Sequence, residues 1–115
     1  MILSEQHEII RDSISNFAKS QLAPNAQFWD KEKVFPKHAL RELANLGVYG
    51  VIVPESLGGS GLDYLALSIV IEEIAAGDGG VSSIIGVNNC PVCSIALKFC
   101  NKIQQKKMAV ATRKR

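Results

Sequence analysis

Residues 63–76 read DYLALSIVIEEIAA, and this stretch decides the fold. Its strongest apolar positions lie three and four residues apart, at Leu67, Val70, Ile71 and Ile74. That spacing predicts an α-helix, and Asp63 is a suitable N-cap residue for it. Other residues of the stretch make the helix apolar on almost every side. Such a helix is expected to lie at the centre of the protein, covered on several sides.

Two helices are predicted before the central one. The first begins after Ser4, which is a suitable N-cap residue, and has an apolar face around Ile14. Pro24 is expected to kink this helix or to restart it. The second begins at Pro36 and ends at Gly47, because proline suits the first position of a helix and glycine suits the residue after its end.

Two more helices are predicted after the central one, the first capped by Asp78 and the second beginning at Pro91. The apolar run from Val48 to Val53 has no partner strand, so it is interpreted as a buried, extended connector. The chain is therefore predicted to be all-α, a bundle of about five helices.

The composition is that of one ordinary globular domain, with 115 residues, 47% of them hydrophobic and 21% charged. It excludes a disordered chain, a collagen-like chain and a two-domain enzyme with a large cofactor cleft. The odd number of cysteines, three, indicates reduced thiols.

The start of the chain lacks the features of a signal peptide. The stretch from Val81 to Leu97 is expected to be too short and too polar to cross a bilayer, so no membrane insertion is predicted.

Charge is distributed unevenly along the chain. Residues 1–97 hold 6 basic and 11 acidic residues, whereas residues 98–115 hold 7 basic and no acidic residues. A basic end is compatible with a nucleic-acid or anionic-surface partner, or with a solvated tail. Because no aromatic residues are interleaved with the basic ones, no nucleic-acid partner is predicted.

The motifs that often carry chemistry are incomplete here. The cluster Gly58-Gly59-Ser60-Gly61 lacks the third glycine of a dinucleotide fingerprint and the lysine of a phosphate loop, so a flexible turn is predicted. Cys90-Pro91-Val92-Cys93 lacks the βαβ context of a redox dithiol and the further ligands of a zinc site. Its cysteines are interpreted as buried apolar thiols.

No catalytic residue and no metal site are predicted. Glu72 and Glu73 are adjacent and point about 100° apart on a helix, so they do not form a carboxylate pair. One is expected to be solvated and the other paired with a cation. His7 and His38 stand alone in polar surroundings and are interpreted as surface residues.

Three segments nevertheless resemble a known family: VYGVIVPE at residues 48–55, LGGSGLDYLA at 57–66 and IEEIAAGD at 71–78. Shorter matches, including LSEQ at residues 3–6 and VNN at 87–89, extend the resemblance from residue 3 to about 107. Together they closely resemble the acyl-CoA dehydrogenases, and VNN is most similar to the short-chain branch of that family.

The resemblance implies that residues 1–107 form an N-terminal α-helical domain, which in the family packs against a middle β-domain and a C-terminal helical domain. The full enzyme removes two hydrogens from an acyl-CoA thioester in fatty-acid or branched-chain amino-acid breakdown. FAD takes the hydride, and an electron-transfer flavoprotein is the partner. The implied location is the bacterial cytoplasm, or the mitochondrial matrix for a processed eukaryotic form.

Within the family this domain contributes one wall of the acyl pocket, which by position implies Ser83, Val87 and Pro91 as lining residues. Ordinary core packing is the alternative explanation for all three. The catalytic carboxylate and most FAD contacts lie beyond residue 115 in such enzymes. The chain alone is therefore expected to be inactive and to bind no FAD.

The chain also departs from the family pattern. Cys100 stands where a glycine is usual, and a left-handed turn there would cost a cysteine about 1 kcal/mol. Residues 108–115 do not follow the family and are expected to form an aberrant, disordered basic tail. The chain is therefore interpreted as a truncated dehydrogenase.

A stand-alone helical protein-interaction module without catalytic activity is the alternative function. Without neighbouring domains, the apolar helices between Val81 and Phe99 are expected to leave a wide apolar surface open to water. This predicts a homo-oligomer or an aggregation-prone chain.

Overall fold

The computed structural model describes residues 3–107. Its α-helical segments are α1 (Glu5–Phe17), α2 (Ala23–Glu32), α3 (Lys37–Asn45), α4 (Tyr64–Gly77), α5 (Gly79–Val87) and α6 (Ser94–Phe99). A π-helical turn, Ala18–Leu22, joins α1 and α2 into one rod, so the described residues form five principal helices and no strand. The predicted all-α bundle is confirmed. The predicted tail, residues 108–115, lies outside the described residues.

The first rod shows how the chain accommodates a proline without ending a helix. In a regular α-helix the ring of Pro24 would clash with the carbonyl of Ser20, four residues earlier. The wider π-helical turn Ala18–Leu22 contains Ser20 and ends two residues before Pro24, and this geometry relieves such crowding. The predicted kink or restart is therefore a local widening, and the rod continues to Glu32.

Helix α4 packs against α1, α2, α5 and the π-helical turn, which confirms its predicted central position. Ile74 and Val70 are 0% and 2% exposed. The burial is nevertheless incomplete, because Ile71 is only half-buried and a stripe is exposed at Tyr64, Ser68, Glu72 and Ala75. Helix α4 is therefore covered on several sides, as predicted, and is open to water along this one stripe.

The connector between α3 and α4 is buried as predicted but is not extended. Gly47 adopts φ +79°, a left-handed conformation that glycine tolerates, and a 3₁₀ turn follows at Val48–Gly50. Without a partner strand, the connector finds its hydrogen bonds elsewhere. Leu62 and Gly61 donate their backbone N–H groups to the carbonyls of Val51 and Val53, both at 2.8 Å.

The glycine-rich turn at residues 58–61 therefore lies packed against the connector. A Cβ atom at Gly59 would lie 2.2 Å from the carbonyl oxygen of Val53. No side chain fits at that distance, so the close backbone approach explains the glycine. The predicted turn is present, and backbone hydrogen bonds fasten it to the connector.

The end of α6 differs from expectation. Cys100 has φ −88° and ψ 153°, an extended conformation that any residue adopts, so the expected left-handed strain is absent. The side chain of Gln105 satisfies the carbonyls at this helix end. Its Nε2 donates to the carbonyl oxygens of Ala96, Leu97 and Cys100 at 3.3, 3.1 and 3.1 Å.

Within residues 3–107, one helical run, Gly79–Phe99, is long and apolar enough to cross a membrane by length and composition. This differs from the expectation that the stretch is too short. Buried core helices share these properties, and Cys90 interrupts the run with a non-helical backbone at φ −144° and ψ 105°. The absence of membrane insertion therefore stays a prediction.

Candidate functional site

An open groove lies where α3, the connector, α5 and the segment after α5 meet. Its volume is about 650 Å³, and its walls are formed by Phe35, Lys37, Leu40, Tyr49, Ser83, Ile84, Val87, Asn88 and Val92. Most of these side chains are apolar, and only Lys37 carries a charge. An environment of this kind suits an apolar chain better than a polar ligand.

Two of the three residues expected to line the acyl pocket lie together in this groove. Ser83 and Val87 are four residues apart on α5, so they share one face. Val92, rather than Pro91, is among the lining residues. The reason is the non-helical backbone at Cys90, which ends the helical periodicity before Pro91.

Neither Ser83 nor Val87 is packed in the core. Val87 is 57% exposed, and the Ser83 hydroxyl, also exposed, donates to the carbonyl oxygen of Gly79 at 3.2 Å. Pro91 is exposed as well. Core packing therefore does not explain these residues.

Two buried asparagines hold the groove together. Asn89 is 0% exposed. Its Oδ1 accepts from the Val51 N–H at 2.8 Å, and its Nδ2 donates to the carbonyl oxygens of Val48 at 2.7 Å and Ile85 at 3.0 Å. Asn88 donates to the Tyr49 carbonyl oxygen at 2.6 Å. These bonds fasten the connector to the end of α5.

This clamp was not predicted from the sequence, where Asn88 and Asn89 stand out only as part of a family resemblance. The available signal was two adjacent amides in an otherwise apolar run. Buried amide side chains in such a run need hydrogen-bond partners. The backbone groups of the connector, which has no partner strand, are the groups that could supply them. Which backbone groups they meet depends on the tertiary fold.

Tyr49 forms the floor of the groove and is fixed at both ends. Its phenol donates to the carbonyl oxygen of Leu40 at 3.2 Å. Its own carbonyl oxygen accepts from Asn88 and, at 3.8 Å, from the Cys93 thiol. Among the described residues, no buried side-chain nitrogen or oxygen lacks a hydrogen-bond partner. The buried polar groups around the groove are therefore satisfied within the fold.

The cysteines near the groove are free thiols. Cys93 is buried as predicted, and burial raises the pKa of its thiol above the ordinary value. Because the thiolate is the nucleophile, this environment makes Cys93 unreactive. Cys90 is exposed, so the interpretation as a buried thiol is wrong for that residue.

His7 is not isolated, contrary to expectation. Its Nε2 lies 3.1 Å from Asp63 Oδ1, and its Nδ1 lies 2.7 Å from Ser4 Oγ. The pKa of the Asp63 carboxyl is lowered, first by the hydrogen bond from the Ala66 N–H and then by that from His7. The cluster joins the caps of α1 and α4, a structural role.

The other polar candidates form no site. Glu73 pairs with Arg11 at 3.7 Å, as expected for one member of the glutamate pair, and Glu72 is exposed. Within residues 3–107, no group of three His, Cys, Asp or Glu side chains is placed to hold a metal ion. The groove is the site that the geometry favours.

The chain is similar to proteins of one known family. Residues 4–112 match the family model for the acyl-CoA dehydrogenase N-terminal domain. The chain is 40% identical over 103 residues to the mitochondrial short-chain specific acyl-CoA dehydrogenase of Rattus norvegicus, a match covering 90% of this chain and 25% of that protein. It is 35% identical over 105 residues to the mitochondrial isobutyryl-CoA dehydrogenase of Dictyostelium discoideum, covering 91% and 25%.

A solved structure shares the fold. It comes from work on the electron transferring flavoprotein of Acidaminococcus fermentans and flavin-based electron bifurcation. The TM-score is 0.92 at 26% identity, and the match covers 98% of this chain and 30% of that one. This chain spans about a quarter of the length of the curated relatives it matches.

Proposed function

Because the chain belongs to the acyl-CoA dehydrogenase family, we propose that it is the N-terminal helical domain of a short-chain acyl-CoA dehydrogenase and supplies one wall of its acyl pocket. The groove beside Ser83 and Val87 carries this proposal. The substrate class is a short-chain acyl-CoA, consistent with the 40% identity to a short-chain specific relative.

The proposed role of the groove is to bind and desolvate. Ile84, Val87 and Val92 offer an apolar wall against which the acyl carbons lose their contact with water. Tyr49 stays in place because its phenol and carbonyl groups are bonded. A preformed wall loses little conformational entropy when the ligand binds.

In acyl-CoA dehydrogenases FAD accepts the hydride that leaves the acyl chain. The described residues do not fit a dedicated flavin site. The amides of Asn88 and Asn89 are used within the fold, and no buried polar side-chain atom of the described residues is left to meet a cofactor. We propose that most flavin contacts come from other parts of the family's enzymes.

The purified 115-residue chain is therefore expected to be colourless and inactive. It should lack the visible absorbance band of a stoichiometric flavin, and it should not reduce an artificial electron acceptor with butyryl-CoA. A full-length short-chain acyl-CoA dehydrogenase, assayed in parallel, is the positive control. Turnover, or one flavin per chain after added FAD and gel filtration, would contradict this expectation.

The wall itself is tested with Val87→Lys. An ammonium group placed in the apolar wall must be desolvated when an acyl chain binds, so the dissociation constant for butyryl-CoA is expected to rise about tenfold or more. Amide chemical shifts of the groove residues, measured during titration with butyryl-CoA, give the constant. The fold should persist, because Val87 is 57% exposed.

Ile9→Lys is the matched control, because Ile9 is 63% exposed on α1 and does not line the groove. It should leave binding unchanged. Free CoA without an acyl group should not shift the groove amides. If both variants bind equally, or if CoA alone gives the same shifts, the groove is not an acyl site.

The groove rim is also proposed to drive self-association of the chain, since Phe35 and Val87 are 65% and 57% exposed. Light scattering on the Val87→Lys sample should then report smaller particles. An unchanged particle size together with a large drop in melting temperature would place Val87 in the core.

For the whole enzyme, we propose acyl-CoA as substrate and an electron-transfer flavoprotein as electron acceptor. The similarity to a chain from the work on an electron transferring flavoprotein supports the second partner. The mitochondrial relatives support a matrix location for a eukaryotic form, with the cytoplasm as the bacterial counterpart.

A further inference from the structure

One surface outside the groove combines positive charge with exposed apolar side chains. From residue 79 to residue 107 the chain holds no Asp or Glu and four lysines. In the same part of the chain, Ile95, Phe99 and Ile103 are 52%, 73% and 69% exposed. None of these three side chains lines the groove, so the acyl wall does not account for their exposure.

The fold gathers these residues into one place. On α6, Ile95, Lys98 and Phe99 share a helix face, and Lys98 Nζ lies 5.5 Å from the centroid of the Phe99 ring. The hydrogen bonds of the Gln105 amide to the end of α6 hold the next helical turn beside it. That turn carries Lys102 and Ile103.

These five residues, Ile95, Lys98, Phe99, Lys102 and Ile103, are here called the basic apolar patch. Within residues 3–107, neither of its lysines forms an ion pair with an acidic side chain. The charge of the patch is therefore available to an outside partner.

We infer that the basic apolar patch docks on the surface of an anionic lipid bilayer. Lysine ammonium groups are attracted to anionic headgroups, while aromatic and aliphatic side chains enter the boundary between headgroups and acyl chains. The patch offers both kinds of contact within nine residues, from 95 to 103. Docking of this kind lies along the membrane surface and needs no spanning helix.

Other partners suit the patch less well. A nucleic acid offers phosphates to Lys98 and Lys102, but it provides no apolar layer for Ile95 and Ile103, and one phenylalanine is a poor stacking platform. Protein interfaces are depleted of lysine at their centres. An anionic bilayer satisfies the charges and the apolar side chains together.

The test is co-sedimentation of the 115-residue chain with vesicles. Phosphatidylcholine vesicles containing about one third phosphatidylglycerol should bind the chain, and pure phosphatidylcholine should bind it far more weakly. Added salt should reduce the binding to the anionic vesicles. The basic residues at 108–115 are present in every variant, so they do not affect the comparison between variants.

Two sets of variants separate the contributions of lysine charge and of apolar contact to vesicle binding. Lys98→Gln with Lys102→Gln should lower the partition coefficient roughly 30-fold, at about fivefold per lysine. Phe99→Ser should lower it about tenfold by removing apolar contact. The controls are Lys31→Gln and Phe28→Ser on α2, where Phe28 is 58% exposed, and both should bind as the wild type does.

Circular dichroism melts check that each variant folds, and Ile103→Ser replaces Phe99→Ser if the latter does not fold.

The inference would be overturned if Phe28→Ser lost as much vesicle binding as Phe99→Ser, or if the wild type bound neutral vesicles as well as anionic ones. Tight binding to duplex DNA that Phe99→Ser leaves unchanged would assign the patch to nucleic acid instead. Smaller particles for Phe99→Ser without vesicles, and no vesicle binding by the wild type, would assign it to a second copy of the chain.

Discussion

Ile74→Asp is expected to leave the chain unfolded at room temperature. Ile74 is 0% exposed on α4, which packs against α1, α2, α5 and the π-helical turn. A carboxyl group there has no partner, and burying it costs several kcal/mol, either as a charge or after protonation. A domain of this size is stable by only about 5–15 kcal/mol. The thermal melt followed by circular dichroism should lose its cooperative transition.

Two variants on the same helix make the comparison specific. Ser68→Asp places the same carboxyl group on the exposed stripe, so its melting temperature should stay within a few degrees of the wild type. Ile71→Asp should fall between the two, because Ile71 is half-buried. A cooperative melt for Ile74→Asp equal to that of Ser68→Asp would show that α4 is not the central helix.

Asn89→Leu is expected to destabilise the fold by about 3 kcal/mol. The substitution keeps the approximate size of the side chain but leaves the Val51 N–H and the Val48 carbonyl without their partners at 2.8 and 2.7 Å. Each buried, unpaired polar group costs about 1–3 kcal/mol. Urea denaturation measures the free energy of unfolding directly.

The matched control is Asn16→Leu, because Asn16 is exposed on α1 and should tolerate the change. Asn89→Leu should also weaken butyryl-CoA binding, since Tyr49 lies in the connector that Asn89 holds. If Asn89→Leu is as stable as the wild type, the amide clamp does not hold the groove together.

The candidate site was only partly predictable. Ser83 and Val87 were placed by family resemblance, and a regular helix keeps residues four apart on one face, so both lie in the groove. The same resemblance implied Pro91, but the non-helical backbone at Cys90 separates it from the face of α5, and Val92 lines the groove. Phe35, Lys37 and Tyr49 come from other elements, and no local pattern related them to α5.

The sequence by itself determined the helices, because helix formation and capping are local. Ser4, Asp63 and Asp78 each accept a hydrogen bond from a backbone N–H three residues later, as their side chains and positions predicted. Gly47 takes the expected left-handed conformation after α3 for the same local reason. The apolar spacing of residues 63–76 likewise placed α4 at the centre.

Only the tertiary structure decided the course of the connector and the shape of the groove. The bonds from Asn88 and Asn89 join residues 38 to 41 positions apart. A spacing pattern relates only residues that lie within a few helical turns of each other in the sequence. The contacts of Asn88 and Asn89 exist only after α5 has packed beside the connector. The buried amides then satisfy backbone groups that would otherwise need a strand, and this is why the run at residues 48–53 turns instead of extending.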